Sequence, residues 1–308
     1  MIAIGGSAGS IPALKRIVAG LSGDLPASVF VVIHTRAREY SALADVIRSA
    51  GHLRARNAED AQHIEHGTIY VAPPDRHMVI AGEHIHLSRG PKEGLHRPSI
   101  NVTFRSAAAC CDGHVVGVLL SGLLDDGASG LWDIVHRHGV TIVQDPEEAK
   151  FPSMPMSALE SVPINFKLKA EEIGPRLVAI VNSPKTDHAP SNEPTVNAIS
   201  RERFSGFTCP ECRGPMYEHR KSPAEFVCRV GHIFPLHELL EESTSTQEKS
   251  LYQAMVSLEE GADIAEYTAQ RASEGERKQL LAEAGQLRQH SEAIRRLIEE
   301  RQTPPITD

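Results

Sequence analysis

In the first part of the chain, short runs of consecutive aliphatic residues alternate with stretches whose apolar side chains recur every three or four positions. The runs Ile2 to Gly5, Ser28 to His34, Val115 to Ser121 and Val140 to Val143 predict buried strands. Helices are expected between them, at Ile11 to Ala19, Tyr40 to Ser49, Ile100 to Cys111 and Gly127 to His138. This is the rhythm of a parallel α/β sheet. From Gly67 to Ser88 it changes: "TIYVAPP", "HMVIAG" and "HIHLS" follow one another closely and predict a β-hairpin inserted on the sheet.

Asn182 to Ala198 contains prolines and small polar residues without periodicity, which predicts a linker over 182–203. It divides a first domain, 1–181, from a compact cysteine-containing unit, 204–239, and a helical tail, 240–308. In the tail, Leu251, Ala254, Met255, Leu258, Ala262 and Ala265 share one helical face. Leu280, Leu287 and Ile294 recur every seven residues, with Ala284 and Ile298 beside them. A helical hairpin hinged at Ser273 to Glu276 follows. Such a hairpin either packs on itself and the cysteine unit or docks on a helical regulatory partner.

With 308 residues, 41 % hydrophobic and 23 % charged, the chain has the composition of a globular protein. No apolar run approaches the ~20 residues of a membrane span, and no basic-then-apolar leader opens the chain, so a cytoplasmic protein without membrane insertion is expected. The net charge of −8 is concentrated after Val181. Neither part carries a basic stripe, which speaks against nucleic-acid partners. The five cysteines fall as the pair Cys110 and Cys111 and the group Cys209, Cys212 and Cys228, which is not a disulfide framework.

The turn after the first strand reads Gly5-Gly6-Ser7-Ala8-Gly9. Its glycines are out of register for a dinucleotide fingerprint, His34 stands where a ribose-binding carboxylate is expected, and no Gly-Lys-Ser/Thr follows for a phosphate loop. The same residues satisfy G-x-S-x-G, a sharp strand-to-helix turn that exposes a serine oxygen. Ser7 is therefore a candidate nucleophile, although an elbow after strand one is foreign to the standard α/β-hydrolase order. Functional side chains of a parallel sheet gather at the carboxyl ends of its strands. That rule selects His34 as the base, and Asp125 or Asp126 as the acid that orients it. Taken singly, His34 is an ordinary loop histidine and either aspartate an ordinary helix cap. Together at one sheet edge they point to a triad. The amides of Ala8 and Gly9, with a second donor from Leu123 or Leu124, are candidates for holding an oxyanion.

These segments, "GGSAG", "VVIH", "GTIYVAPPDRHM", "HRPSINVTF", "GVLLSGLLDDGASG" and "SMPMSA", resemble the catalytic domain of the chemotaxis protein-glutamate methylesterase (CheB-type) family from Ile2 to about Val181. The resemblance implies a doubly wound, mostly parallel, Rossmann-like α/β fold. It implies a serine esterase that hydrolyses glutamyl methyl esters on methylated chemoreceptors or other signalling proteins, releases methanol, needs no catalytic cofactor and also deamidates glutamine. It puts the nucleophile on Ser7, the base on His34 and the acid on Asp126. Arg97, in "HRPS", becomes either a substrate-pocket contact or a structural arginine. The chain departs from the family at Ala8 (usually threonine), Leu123 (methionine) and Leu124 (glycine), which alters the pocket, and Asn101 stands where the family commonly has aspartate. With no receiver domain ahead of the first strand, a receiver-free subset is expected. A regulatory module with weakened esterase activity is the alternative from a different class.

Cys209-x₂-Cys212 and Cys228-x₃-His232 supply three thiolates and an imidazole at the spacing of a structural, zinc-ribbon-like site. His219 and His237 compete as fourth ligand. The segment "CRVGH" resembles that of receiver-free relatives and favours His232.

Overall fold

A computed structural model describes residues 1–34, 37–111, 113–183, 203–221 and 224–302. Its first body runs β1 (Ile2–Gly6), α1 (Ser10–Ala19), β2 (Val29–Ile33), α2 (Ala37–Ala50), β3 (Arg54–Asn57), β4 (Gln62–His63), β5 (Thr68–Val71), β6 (His77–Ala81) and β7 (His84–Ser88). It continues with α3 (Ile100–Cys110), β8 (Val116–Leu119), α4 (Ala128–His136), β9 (Val140–Gln144), α5 (Ser153–Ser161), β10 (Phe166–Leu168) and α6 (Ala170–Asn182). Seven strands form one sheet in the order β10-β9-β8-β1-β2-β5-β3, parallel throughout.

Alternation along each strand divides the core in two, because successive side chains of a strand point to opposite faces. Ile2, Ile4, Val29 and Val31 meet Leu14, Ile17 and Val18 of α1, with α2 and α6 on the same face. Ala3, Phe30, Val32 and Tyr70 meet Ile100 and Phe104 of α3 and Leu131 and Ile134 of α4 on the other. The sheet is doubly wound, as expected. From β1 the chain steps outward through β2, then returns to β8 on the opposite side of β1. β1 is therefore the topological switch point, beside which open parallel sheets form their ligand crevice.

The predicted hairpin needs correcting. β6 and β7 pair antiparallel and take β4 as a third strand, but Thr68–Val71, the "TIYV" run, pairs parallel with β2 and β3 in the main sheet. All four of its residues are buried, the signature of a central strand. β3, α5, β10 and α6 were not separately foreseen. Arg54–Asn57 is too polar to stand out, and Pro155 and Pro175 interrupt the helical pattern.

β11 (Phe204–Thr208), β12 (Pro215–Lys221), β13 (Ala224–Cys228) and β14 (Ile233–Pro235) form an antiparallel sheet around Cys209, Met216, Phe226, Cys228, Phe234 and Leu239. Of the expected linker, residues 184–202 lie outside those described. Residues Met1–Leu239 form one compact unit, so the cysteine-containing sheet is joined to the parallel-sheet body. At the joint the Gly94 amide donates to the Ile233 carbonyl at 2.7 Å, and Leu95 packs on the cluster around Met216. Arg105 of α3 chelates Glu93 (3.0 and 2.9 Å) and Asp133 (3.1 Å), with Glu225 of β13 at 3.9 Å.

Residues 240–308 form a second unit. Here α7 (Leu236–Ala269) and α8 (Glu274–Gln302) run antiparallel, closing on Ala262, Ala265, Ala284 and Leu287. Arg288 meets Asp263 and Glu266, and Arg295 meets Glu259. The hinge falls where expected, with Ser273 Oγ donating to Glu276 at 2.6 Å. Ala254, expected on the apolar face, is exposed.

Gly117, in central β8, has no room for a side chain: a Cβ would lie 2.5 Å from Ile134 Cδ1 and 2.7 Å from Leu131 Cδ2. Gly117→Ala should cost about 1–3 kcal/mol by overpacking, read as a lower urea midpoint at unchanged slope. An unchanged midpoint would mean that α4 yields freely.

Candidate active site at the switch point

The register of β1 and β2 pairs Gly6 with Ile33, which puts Ser7 and His34 on the next rung. The His34 amide donates to Gly6 O at 3.1 Å, and the Ser7 amide to Ser121 O at 3.0 Å. Ser7 is thereby held between the ends of β2 and β8. Gly9, at φ 74°, turns the chain into α1. Gly122 lies against Ser7 and Met154, and a Cβ there would collide with both.

His34 Nε2 donates to Asp126 Oδ2 at 2.9 Å. Asp126 is 1 % exposed and accepts three further hydrogen bonds from the start of α3. These come from the Ser99 hydroxyl (3.0 Å), the Ile100 amide (2.8 Å) and the Asn101 amide (3.1 Å). Burial alone would raise its pKa. The hydrogen bond and charge of His34, with the amide of Ile100, outweigh burial and hold it at about 2. A helix N-terminus adds its partial positive charge. The carboxylate is thus ionised at neutral pH and fixes the imidazole with its Nε2–H toward Asp126. Among the described residues His34 Nδ1 is buried without a hydrogen-bond partner, and its bond to Ser7 is unmade in this structure.

Sequence reasoning gives no role to three residues of this assembly, of which it singles out only Asn101, as a departure from the family. His96 stacks on His34 with centroids 3.8 Å apart and planes 15° from parallel. Burial first, then the neighbouring imidazole, lowers its pKa to about 4. It is therefore a neutral wall against the His34 ring. Ser99 stands where a helix cap belongs but spends its hydroxyl on Asp126, and its amide donates to His77 Nδ1 at 3.2 Å. Asn101 Oδ1 accepts from the amides of Gly127 (2.9 Å) and Gly130 (2.8 Å), so α4 is capped from α3, and the cap reading of the aspartates is unneeded. The only advance signal was the "HRPSIN" segment itself.

Ala8 and Gly9 lie at the N-terminal end of α1, where the helix presents its positive pole. The Ala8 carbonyl is tied to Ser121 Oγ at 2.8 Å. Leu123, next to Gly122, is 52 % exposed, and Leu124 takes a left-handed φ of 67°. Arg97 is not in this group. Its guanidinium donates to Asp75 (2.9 and 2.7 Å) and to the carbonyls of Gly90 (2.8 Å) and Arg89 (3.3 Å), which is the structural option.

Cys209, Cys212, Cys228 and His232 converge in the four-stranded unit, their ligand atoms all within 4.8 Å of one another. Cys212 and Cys228 sulfurs are 3.6 Å apart, and His232 Nδ1 lies 3.5 Å from Cys228 and 3.7 Å from Cys209. Tetrahedral ligands at zinc–sulfur distance would be separated by ~3.8 Å, so the donor set fits. Among the described residues no other such cluster occurs, and His219 and His237 are outside it.

The hydrogen-bonded His34–Asp126 pair lies beside the Ser7 rung at the switch point of a doubly wound parallel α/β sheet. The chain belongs to the CheB methylesterase family, whose sequence profile matches residues 2–177. It is 34 % identical over 173 residues to a putative protein-glutamate methylesterase/protein-glutamine glutaminase of Leptospira interrogans, covering 56 % of this chain and 90 % of that protein. To a protein-glutamate methylesterase/protein-glutamine glutaminase of Caulobacter vibrioides it is 33 % identical, over 59 % of this chain and 54 % of the relative. The crystal structure of the Thermotoga maritima CheB methylesterase catalytic domain superposes with a TM-score of 0.57 at 27 % identity, over 58 % of this chain and 97 % of that domain. Among the described residues no helix is long and apolar enough to cross a membrane.

Because the Asp126 pKa is depressed from 3.8 to about 2, its ionised form stabilises the fold above pH 3.8, and this contribution is lost as pH falls toward about 2. The contribution at neutral pH is on the order of 2 kcal/mol. Asp126→Asn should flatten the acid limb of the stability profile in this window. An unaltered limb would mean that other carboxylates carry it.

Proposed function

We propose that the protein is a cytoplasmic serine esterase acting on glutamyl methyl esters of chemoreceptor-type signalling proteins, with glutamine deamidation by the same route. The observation that carries this reading is the pinned Asp126, which leaves His34 Nδ1 as an unpartnered base on the rung shared with Ser7. Ser7 Oγ attacks the ester carbonyl as His34 accepts its proton, and the tetrahedral oxyanion collects beside the amides of Ala8 and Gly9. Collapse breaks the carbon–methoxide bond, and His34 returns the proton to the leaving oxygen, releasing methanol. Water then attacks the glutamyl–Ser7 ester, again with His34 as base, giving the free carboxylate and the serine hydroxyl. For glutamine the leaving group is ammonia.

Methanol release from a methylated receptor fragment should fall by about 10⁴-fold or more in Ser7→Ala. Release that persists in this variant would refute the assigned nucleophile. No release by the unaltered protein would favour a regulatory module on the same fold.

Cys209, Cys212, Cys228 and His232 would hold a structural zinc ion, closed by four protein ligands and so without a position for substrate. The protein as isolated should carry one zinc per chain by elemental analysis, and Cys212→Ser should lose it and melt at lower temperature. Full stability without metal would overturn this assignment. The helical hairpin buries its alanines in its own seam, which supports self-packing over docking on a regulatory partner.

A further inference from the structure

The carboxyl groups of Asp125 and Glu238 interact across the joint between the parallel-sheet body and the four-stranded unit. Asp125 is 8 % exposed and Glu238, on the first turn of α7, 1 %. Among the described residues neither oxygen of Glu238 has a hydrogen-bond partner when both groups are treated as carboxylates, nor does Oδ1 of Asp125. Gly94 forms the floor beneath Glu238, since a Cβ there would collide with the carboxyl. Two buried acceptors in contact repel, whereas one proton between them makes an O–H···O bond.

The surroundings favour that proton. The charged neighbours acting most strongly on Glu238 are Asp125, Asp126 and Glu93, all acidic. Those acting on Asp125 are Asp126 and His237. Asp126 is already matched by His34, and Glu93 by Arg105. Burial is the first cause raising the pKa of both members of the pair. The acidic neighbours raise that of Glu238 further, while for Asp125 the hydrogen bond with Glu238 and the charge of His237 pull down and Asp126 pushes up, leaving it raised.

The same joint reaches the catalytic groups by two routes. Asp125 precedes Asp126 in the chain. Gly94, bonded to Ile233, lies two residues before His96, which stacks on His34. We propose that Asp125 and Glu238 share one proton, and that this contact seats the four-stranded unit against the Asp125–Asp126 turn, making Glu238 a positioning residue for the His34–Asp126 pair. The kinetic consequence rests on the esterase reading; the contact itself does not.

The sign of the pH effect follows. Seating takes up a proton that a solvated glutamate releases in the ordinary carboxylate range. The contact is therefore tightest at low pH, weakens as pH rises above that range, and is lost once the pair gives up its last shared proton.

The test uses the full chain, Glu238→Gln and Glu238→Ala, from neutral into alkaline pH. Three quantities are read: amide hydrogen exchange of Gly94 to His96, the rate at which a fluorophosphonate labels Ser7, and kcat and KM for methanol release. Glutamine keeps a donor for Asp125 without titrating. In the wild type, exchange relative to Glu238→Gln should rise with pH, while labelling and kcat fall. Glu238→Gln should remain level, and Glu238→Ala should lose about tenfold in kcat with KM little changed. Wild type and Glu238→Gln with superimposable pH profiles would overturn the proposal. So would Glu238→Ala with wild-type exchange and labelling. Expected exchange and labelling without methanol release would instead sink the substrate assignment and leave the contact standing.

Discussion

The site is organised around one buried negative charge. Asp126 has almost no access to water, so its carboxylate survives only because four donors reach it: an imidazole N–H, a hydroxyl and two peptide amides. Three of the four come from consecutive residues at the start of α3. The helix therefore orients the carboxylate, the carboxylate orients the imidazole, and among the described residues the remaining imidazole nitrogen is left without a hydrogen-bond partner. Removing the helix start would leave an uncompensated charge in the core, which is far costlier than the loss of one hydrogen bond. Stability and chemistry thus make the same demand on Ser99, Ile100 and Asn101.

This coupling extends outward through Asn101. Its amide belongs to the Asp126 cradle, and its side chain closes the exposed end of α4 by accepting from Gly127 and Gly130. A departure from the family pattern at this position is therefore compatible with the local design, since a side-chain carbonyl meets the need for an acceptor. Leu123 is exposed and Leu124 takes a left-handed turn just after Gly122, the residue that lies against Ser7.

Much of this was legible in the sequence because local signals and tertiary constraints coincide at strand ends. Ile2–Gly6, Val29–Ile33 and Val116–Leu119 announce themselves as apolar runs, and the residues following them had to lie along one edge of a parallel sheet. The Cys209, Cys212, Cys228 and His232 cluster was readable because metal ligation is encoded in spacing. What escaped was encoded in neither period nor spacing. Thr68–Val71 joins the main sheet because Phe30 and Tyr70 share a core, a long-range fact, while its sequence resembles that of its hairpin neighbours. His96 was hidden among sixteen histidines, since stacking depends on where a loop returns. The joint through Glu93, Gly94 and Ile233 likewise links positions far apart in the sequence, so no local pattern marks it.

The rung shared by Ser7 and His34 has a consequence for evolutionary tolerance. Their backbones are spaced by the hydrogen-bond ladder of adjacent strands, a length of about 4.8 Å that no side-chain substitution resets. Helices around the sheet can exchange apolar residues, and the chain can acquire an appended module, without changing that spacing. A shift of β2 by a single residue, in contrast, would turn His34 to the opposite face of the sheet and erase the site at one stroke.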